Sequence, residues 1–183
     1  MHLAATVELF HHRWNVRVLA ALHEANGGSR ISVLTHHLDA HRATIRASVA
    51  ALTRGGWVEP NPGYGHPLRP EFVLTKSGRR LAVACAEYDR VASRLRALEV
   101  GYRKWSAPVL VTLHDGNERF NGIQHALGCI TPRALAQSLK ELSAQSLVVR
   151  EVEDEYPPRV GYHLSRTGRQ LANATQGIVA VRG

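Results

Sequence analysis

Gly128-Cys-Ile-Thr-Pro-Arg-Ala-Leu-Ala-Gln-Ser-Leu-Lys-Glu-Leu142, followed by Leu147-Val-Val-Arg150, decides how the chain is read. The spacing predicts a helix and then a strand. Thr131 is of the N-cap type, because its hydroxyl can accept an unpaired N–H of the first turn. Pro132 then falls at the first helical position, where a missing N–H costs nothing. Leu135, Leu139 and Leu142 recur at i, i+4 and i+7 and make one apolar stripe. Arg133, Gln137 and Lys140 lie off that stripe. Arg and Gln are the side chains that make paired hydrogen bonds to guanine and adenine edges in the major groove. An ordinary amphipathic helix with a solvated face shows the same pattern, so the rest of the chain decides.

The chain has 183 residues, 44% hydrophobic and 21% charged, enough for one domain or two small ones. No apolar run approaches the ~18 residues that span a bilayer. The start, Met1 to Phe10, lacks the basic region of a signal peptide. Two cysteines, Cys85 and Cys129, are too few for a disulfide framework or a cysteine-rich zinc site. A reduced cytoplasmic setting, associated with the nucleoid and with no membrane partner, is expected. The net charge of +8 favours a polyanionic partner without separating DNA from RNA or an acidic protein. Phosphate-loop, dinucleotide, nucleophile-elbow and zinc-protease signatures do not occur, so no enzyme activity and no cofactor are expected. His37 and His41 have helical i, i+4 spacing, yet they straddle an expected turn and no Cys or carboxylate completes a zinc pattern. Solvated or phosphate-facing histidines are the reading adopted for the eleven in the chain.

Residues 13–84 and 104–174 form a diverged repeat at an offset of 89 to 91. Trp14, Val18-Leu19 and Leu22-His23 match Trp105, Val109-Leu110 and Leu113-His114. Ile45, Val49 and Leu52 match Leu135, Leu139 and Leu142, and Leu74-Thr75-x-x-Gly78 matches Leu164-Ser165-x-x-Gly168. A period of this length is duplication of a small domain, not a solenoid repeat. Each copy predicts a helix, a turn (Asn26 to Ser29, or Asp115 to Asn117), a second helix, and a third helix over 42–52 or 132–142. A two-stranded hairpin follows, through Phe72 to Leu74 or Val160 to Leu164. The fold class is mainly α with small β hairpins (α+β): two tandem winged helix-turn-helix domains over 1–76 and 102–183. In that architecture the third helix enters the major groove and the hairpin flanks it. Between them, Leu81, Ala84, Tyr88, Val91, Leu95 and Leu98 alternate spacings of three and four, with no Gly or Pro from Arg79 to Val100. That predicts one long, stiff linker helix over 77–101.

The second unit resembles the HxlR-type winged-helix domain of bacterial transcriptional regulators. The resemblance runs through Lys104-Trp105, Arg119-Phe120-Asn121-Gly122-Ile123, Ile130-Thr131-Pro132-Arg133-Ala134-Leu135, Leu147-Val148-Val149-Arg150 and Tyr156-Pro157-Pro158-Arg159-Val160-Gly161-Tyr162. The first unit resembles the same family more distantly, having lost Arg-Phe-x-x-Ile and Ile-Thr-Pro-Arg. Because members of the family act as homodimers with one such domain per subunit, the resemblance implies a covalent pseudo-dimer, either alone or as a further homodimer. Some members sense oxidants through a cysteine before the first helix. No cysteine precedes Trp14 or Trp105, so that mechanism is not carried over. Cys129 reads as a small apolar filler with reactivity as the alternative, and Cys85 as packing.

The expected function is sequence-specific binding of double-stranded DNA at an imperfect palindrome, with half-sites about 10 bp apart. In the second unit Arg133 and Gln137 are expected to read bases. Thr131, Ser138 and Lys140 are expected at phosphates or the groove edge. Arg119 is expected to hold a phosphate, with an ion pair to Asp115 or Glu118 as the alternative, and Arg159 lies on the wing. In the first unit Arg133 and Gln137 align with Ala43 and Ala47. Arg42, Arg46, Ser48 and Arg69 are the contact residues there, and Asp39 is a candidate cap. Glu151, Glu153 and Glu155 share one strand face, which must turn from phosphate or pair with arginines. Two alternatives stay open: a sensor with a small-molecule effector between the units, and a tandem winged-helix scaffold for protein partners.

Overall fold

The apolar stripes become helices because each has one face to bury. The computed structural model describes residues 2–63, 70–153, 156 and 158–181; the side chains of 2–5 and 153 lie outside that description. The elements are α1 His2–Leu9, α2 Asn15–Glu24, β1 Gly28–Arg30, α3 Ile31–His37, α4 Arg42–Arg54, β2 Val58–Pro60, β3 Glu71–Leu74 and α5 Lys76–Arg94. They continue as α6 Leu98–Gly101, α7 Ser106–His114, α8 Phe120–Leu127, α9 Pro132–Ala144, β4 Val148–Glu153, β5 Arg159–Leu164 and α10 Arg166–Val181. The run from α2 to α5 and the run from α7 to α10 thus present helices and hairpin in the same order, apart from β1.

β4 and β5 pair antiparallel, with Val148 opposite Leu164 and Glu153 opposite Arg159. In the first half β3 lies between β1 and β2, so the sheet has three strands where the sequence predicts a two-stranded hairpin. The extra strand is Gly28–Arg30, part of which reads as turn in the sequence; the reversal is already complete at Asn26 and Gly27, both at positive φ. In the second half one bond, Tyr162 N–H to Glu118 O at 2.8 Å, stands in the place of that strand.

The same clasp joins hairpin to helix in both halves. Thr75 Oγ1 accepts from Gly78 N–H at 3.0 Å and donates to Gly56 O at 2.8 Å. Ser165 Oγ accepts from Gly168 N–H at 2.9 Å and donates to Ser146 O at 2.7 Å. Each glycine is required by close approach: a Cβ on Gly78 would lie 1.8 Å from Trp57 O, and one on Gly168 1.8 Å from Leu147 O.

The expected single helix over 77–101 is interrupted. α5 ends at Arg94; Arg96 adopts φ +54°, Arg96 N–H bonds Ser93 O at 3.0 Å, and Ala97 N–H bonds Ala92 O at 2.9 Å. That paired closure terminates a helix, and it turns the buried Ala97 and Val100 inward. α5 is also no narrow coiled-coil seam. Leu81, Ala82, Cys85, Tyr88, Val91 and Ala92 are all buried, and α5 packs along α2 of its own half and α10 of the other. α1 and α10 pack on each other. One buried cluster therefore runs from Leu9 to Ile178.

Polar contacts hold the junction. Tyr88 Oη donates to Gly101 O at 2.6 Å, Tyr102 Oη donates to Asp89, and Arg17 lies 3.6 Å from Asp89 and over the Trp14 ring. Burial pushes both phenols up, joined at Tyr102 by its bond to Asp89, so both remain protonated donors.

Candidate nucleic-acid interface

α9 forms as its sequence requires. Thr131 caps it, Oγ1 accepting from Ala134 N–H at 3.2 Å, with Pro132 in the first turn. Leu135, Leu139 and Leu142 are buried, while Arg133, Ala136, Gln137 and Lys140 are exposed. Burial along 131–140 repeats residue for residue along 41–50. Ile45, Val49 and Leu52 are the buried stripe of α4, and Arg42, Ala43, Arg46 and Ala47 are its exposed face.

The two faces differ in chemistry. α9 presents Arg133 and Gln137 one turn apart, with Lys140 beside them. α4 presents methyl groups at the matching positions and charge at Arg42 and Arg46, one residue earlier. Gln137 is further oriented by a contact that the sequence does not announce: its Nε2 donates to Glu141 Oε1 at 2.6 Å, and Arg103 Nη1 lies 2.5 Å from the same oxygen. An amide nitrogen has two hydrogens, so this bond uses one Gln137 donor and leaves the second hydrogen and the carbonyl for other partners. The i, i+4 pair Gln137–Glu141 is readable from spacing; Arg103, from before α7, is not.

Several expected contacts are corrected. Ser48 and Ser138 are 1% and 8% exposed and therefore do not face a groove. Each follows the helix stripe at its flank, where a small side chain fits against packed neighbours. His41, not Asp39, caps α4, its Nδ1 accepting from Ala43 N–H at 3.3 Å. Asp39 instead takes φ +47° in the closure of α3, where Ala40 N–H bonds Thr35 O at 3.2 Å. Cys129 is exposed rather than a filler, whereas Cys85 is buried in the core. His37 faces Glu24 at 3.4 Å, and no group of three metal-ligating side chains occurs among the described residues.

Arg119, at the cap position of α8, and Arg159, at the start of β5, line one shallow hollow with Phe120, Asn121 and Val160. The fold thus brings together two cations 40 residues apart in sequence. Nearby, Glu118 lies 3.1 Å from His163 Nδ1, and Asp115 accepts from Gln176 at 3.0 Å. Glu151 also meets His163, at 3.5 Å, so a histidine faces this acid on the wing strand. Arg69, Asp154, Glu155 and Pro157 lie outside the described residues, as does the side chain of Glu153. No helix of the described residues is long and apolar enough to cross a membrane.

Comparison with known proteins gives these residues a context. The HxlR-like helix-turn-helix pattern matches residues 100–181. An uncharacterized HTH-type transcriptional regulator of Methanothermobacter thermautotrophicus is 44% identical over 68 residues, 37% of this chain and 52% of that protein. The uncharacterized HTH-type transcriptional regulator YvaP of Bacillus subtilis is 35% identical over 77 residues, 42% of this chain and 71% of that protein. The chain thus spans about half the length of the first relative. Among solved structures, the reduced form of the transcriptional regulator YodB from B. subtilis is 32% identical with a TM-score of 0.42, covering 46% of this chain and 83% of that one. With YvaP matched over most of its length and the family pattern running from α6 to the end of α10, the chain belongs to the HxlR-like helix-turn-helix family.

Proposed function

We propose that the protein is a transcriptional regulator that binds double-stranded DNA in a sequence-specific way, as a single-chain pseudo-dimer of two winged-helix units, 1–76 and 102–183. The observation that carries this reading is the outward face of α9, where Arg133, Gln137 and Lys140 are exposed on a helix whose other face is buried. Arg133 pairs with a guanine edge and Gln137, oriented by Glu141, with an adenine edge. Arg119 and Arg159, sharing one hollow beside the wing, hold backbone phosphate. α4 enters the neighbouring groove with Arg42 and Arg46 on phosphates and little base readout. Family membership and the excess of 23 Lys and Arg over 15 Asp and Glu support the same reading.

The test is a mobility-shift titration against a library of genomic duplexes. The expected outcome is a selected, imperfectly palindromic site whose affinity falls steeply between about 50 and 200 mM salt, as counterion release requires. Absence of binding to every duplex, or affinity indifferent to salt, overturns the reading.

A further inference from the structure

The two halves differ at one matched set of positions. Arg103 precedes α7 as His12 precedes α2: Ser106 N–H bonds Arg103 O at 3.1 Å, and Asn15 N–H bonds His12 O at 3.0 Å. In the second half Arg103 Nη1 and Gln137 Nε2 converge on one oxygen, Glu141 Oε1, at 2.5 and 2.6 Å. In the first half His12, Ala47 and Ala51 occupy the matching places, and neither alanine has a polar side-chain atom. Burial along α4 nevertheless repeats that along α9. Packing of the third helix therefore does not call for the trio. What α9 has and α4 lacks is an outward amide to be held.

The trio is arranged to fix a direction. An exposed glutamine loses rotamer freedom when it meets a partner, and one ordered beforehand loses less. Glu141 supplies that order, and its side chain is only 17% exposed. Its carboxylate alone would carry negative charge toward a phosphate backbone; the guanidinium of Arg103 offsets it. Arg103 itself is rooted in the junction between the halves. Tyr102 beside it is buried and donates to Asp89, and Arg103 N–H bonds Val100 O at 3.0 Å. Its second terminal nitrogen, Nη2, lies 3.9 Å from Glu99 on α6.

We propose that Arg103 is a positioning residue for base recognition. It holds the Glu141 carboxylate where that group fixes the Gln137 amide, so base choice under α9 depends on a side chain that does not belong to α9. This rests on the DNA-binding reading above.

Competition titrations of the full chain with every single-base variant of the selected duplex test it. The base pair at which Gln137→Ala removes discrimination marks the glutamine contact. Arg103→Gln is expected to lower discrimination there at least about fivefold, and at the pair marked by Arg133→Ala by less than about twofold. Glu141→Ala, which gives α9 the alanine of α4, is expected to act at the same pair. Added to Gln137→Ala, Arg103→Gln is expected to change discrimination by less than about twofold, as for residues acting through one contact. The slope of log K against log salt is expected to be unchanged by Arg103→Gln, whereas loss of a phosphate contact would reduce it by about 1. In the DNA-free chain, nuclear magnetic relaxation is expected to show a more mobile Gln137 side-chain amide in Arg103→Gln than in the unaltered protein. The proposal is overturned, with the DNA-binding reading left in place, by any of these results: no base pair responding to Gln137→Ala, unchanged discrimination in Arg103→Gln or Glu141→Ala, equal loss at the Arg133 pair, a reduced salt slope, or an amide no more mobile. Absence of selective binding by the unaltered chain overturns that reading and the proposal with it.

Discussion

Gly78 and Gly168 sit where one methyl group decides whether hairpin and helix can meet. A Cβ at either would lie 1.8 Å from a carbonyl oxygen of the strand entry, and that oxygen belongs to backbone that cannot swing aside. Trp57 O already accepts from Thr75 N–H and Leu147 O from Ser165 N–H, so relief by a backbone shift breaks those bonds too. Gly168→Ala is therefore expected to cost roughly 3 kcal/mol or more in urea unfolding, at the upper end for overpacking. The control is Gly177→Ala on α10, where a Cβ meets nothing within 4 Å. That change is expected to be neutral or stabilising by up to about 1 kcal/mol, since glycine is a poor helix former. Equal effects of the two substitutions would show that the close approach does not govern stability.

α4 and α9 share a burial pattern but not an outward chemistry, and their substitutions should separate accordingly. Arg133→Ala is expected to cost about 1–3 kcal/mol in binding to the selected site and to relax base choice in one half-site. Arg42→Ala or Arg46→Ala is expected to weaken all sequences alike and to lower the slope of log K against log salt by about 1 for each phosphate no longer neutralised. Competition titrations with single-base variants at two salt concentrations distinguish the two classes.

Most of these elements are legible in the sequence because the signals are local: apolar stripes at helical spacing, the Thr-Pro start of α9, and Gly-rich reversals. The break that escapes a sequence reading lacks such a signal. α5 ends with Arg96 in a left-handed conformation usually given to Gly or Asn. What stabilises it is tertiary, namely the inward pull on Ala97 and Val100. Ser48 and Ser138 mislead for a related reason: a small hydroxyl at the flank of a stripe is decided by its neighbours on other elements. Arg133, Gln137 and Lys140 are readable from spacing alone, whereas Arg103 behind Gln137 and the pairing of Arg119 with Arg159 depend on the fold.

At the scale of the molecule, the halves are not beads on a string. α5 packs along α10, and α1, from the start of the chain, packs on α7 and α10. Their buried residues join one cluster. Urea unfolding is expected to be a single transition, coincident by tryptophan fluorescence and far-ultraviolet dichroism. Ile178→Ala, a cavity in α10 at a fully buried position, is expected to lower the one midpoint by the equivalent of about 2–5 kcal/mol. Two resolved transitions, with only the second moved by Ile178→Ala, would show that the halves unfold independently.

The packing of α5 on α10 has a last consequence. Two identical subunits on a two-fold site look the same from either direction along the duplex. A chain that locks the arginine-and-alanine helix α4 to the arginine-and-glutamine helix α9 does not. Once bound in the way proposed, it has a front and a back. Its orientation would be set by which half-site carries the guanine and adenine edges, and the sides of the operator would become distinguishable to whatever meets the complex there. A two-sided palindrome would become a signpost with polarity.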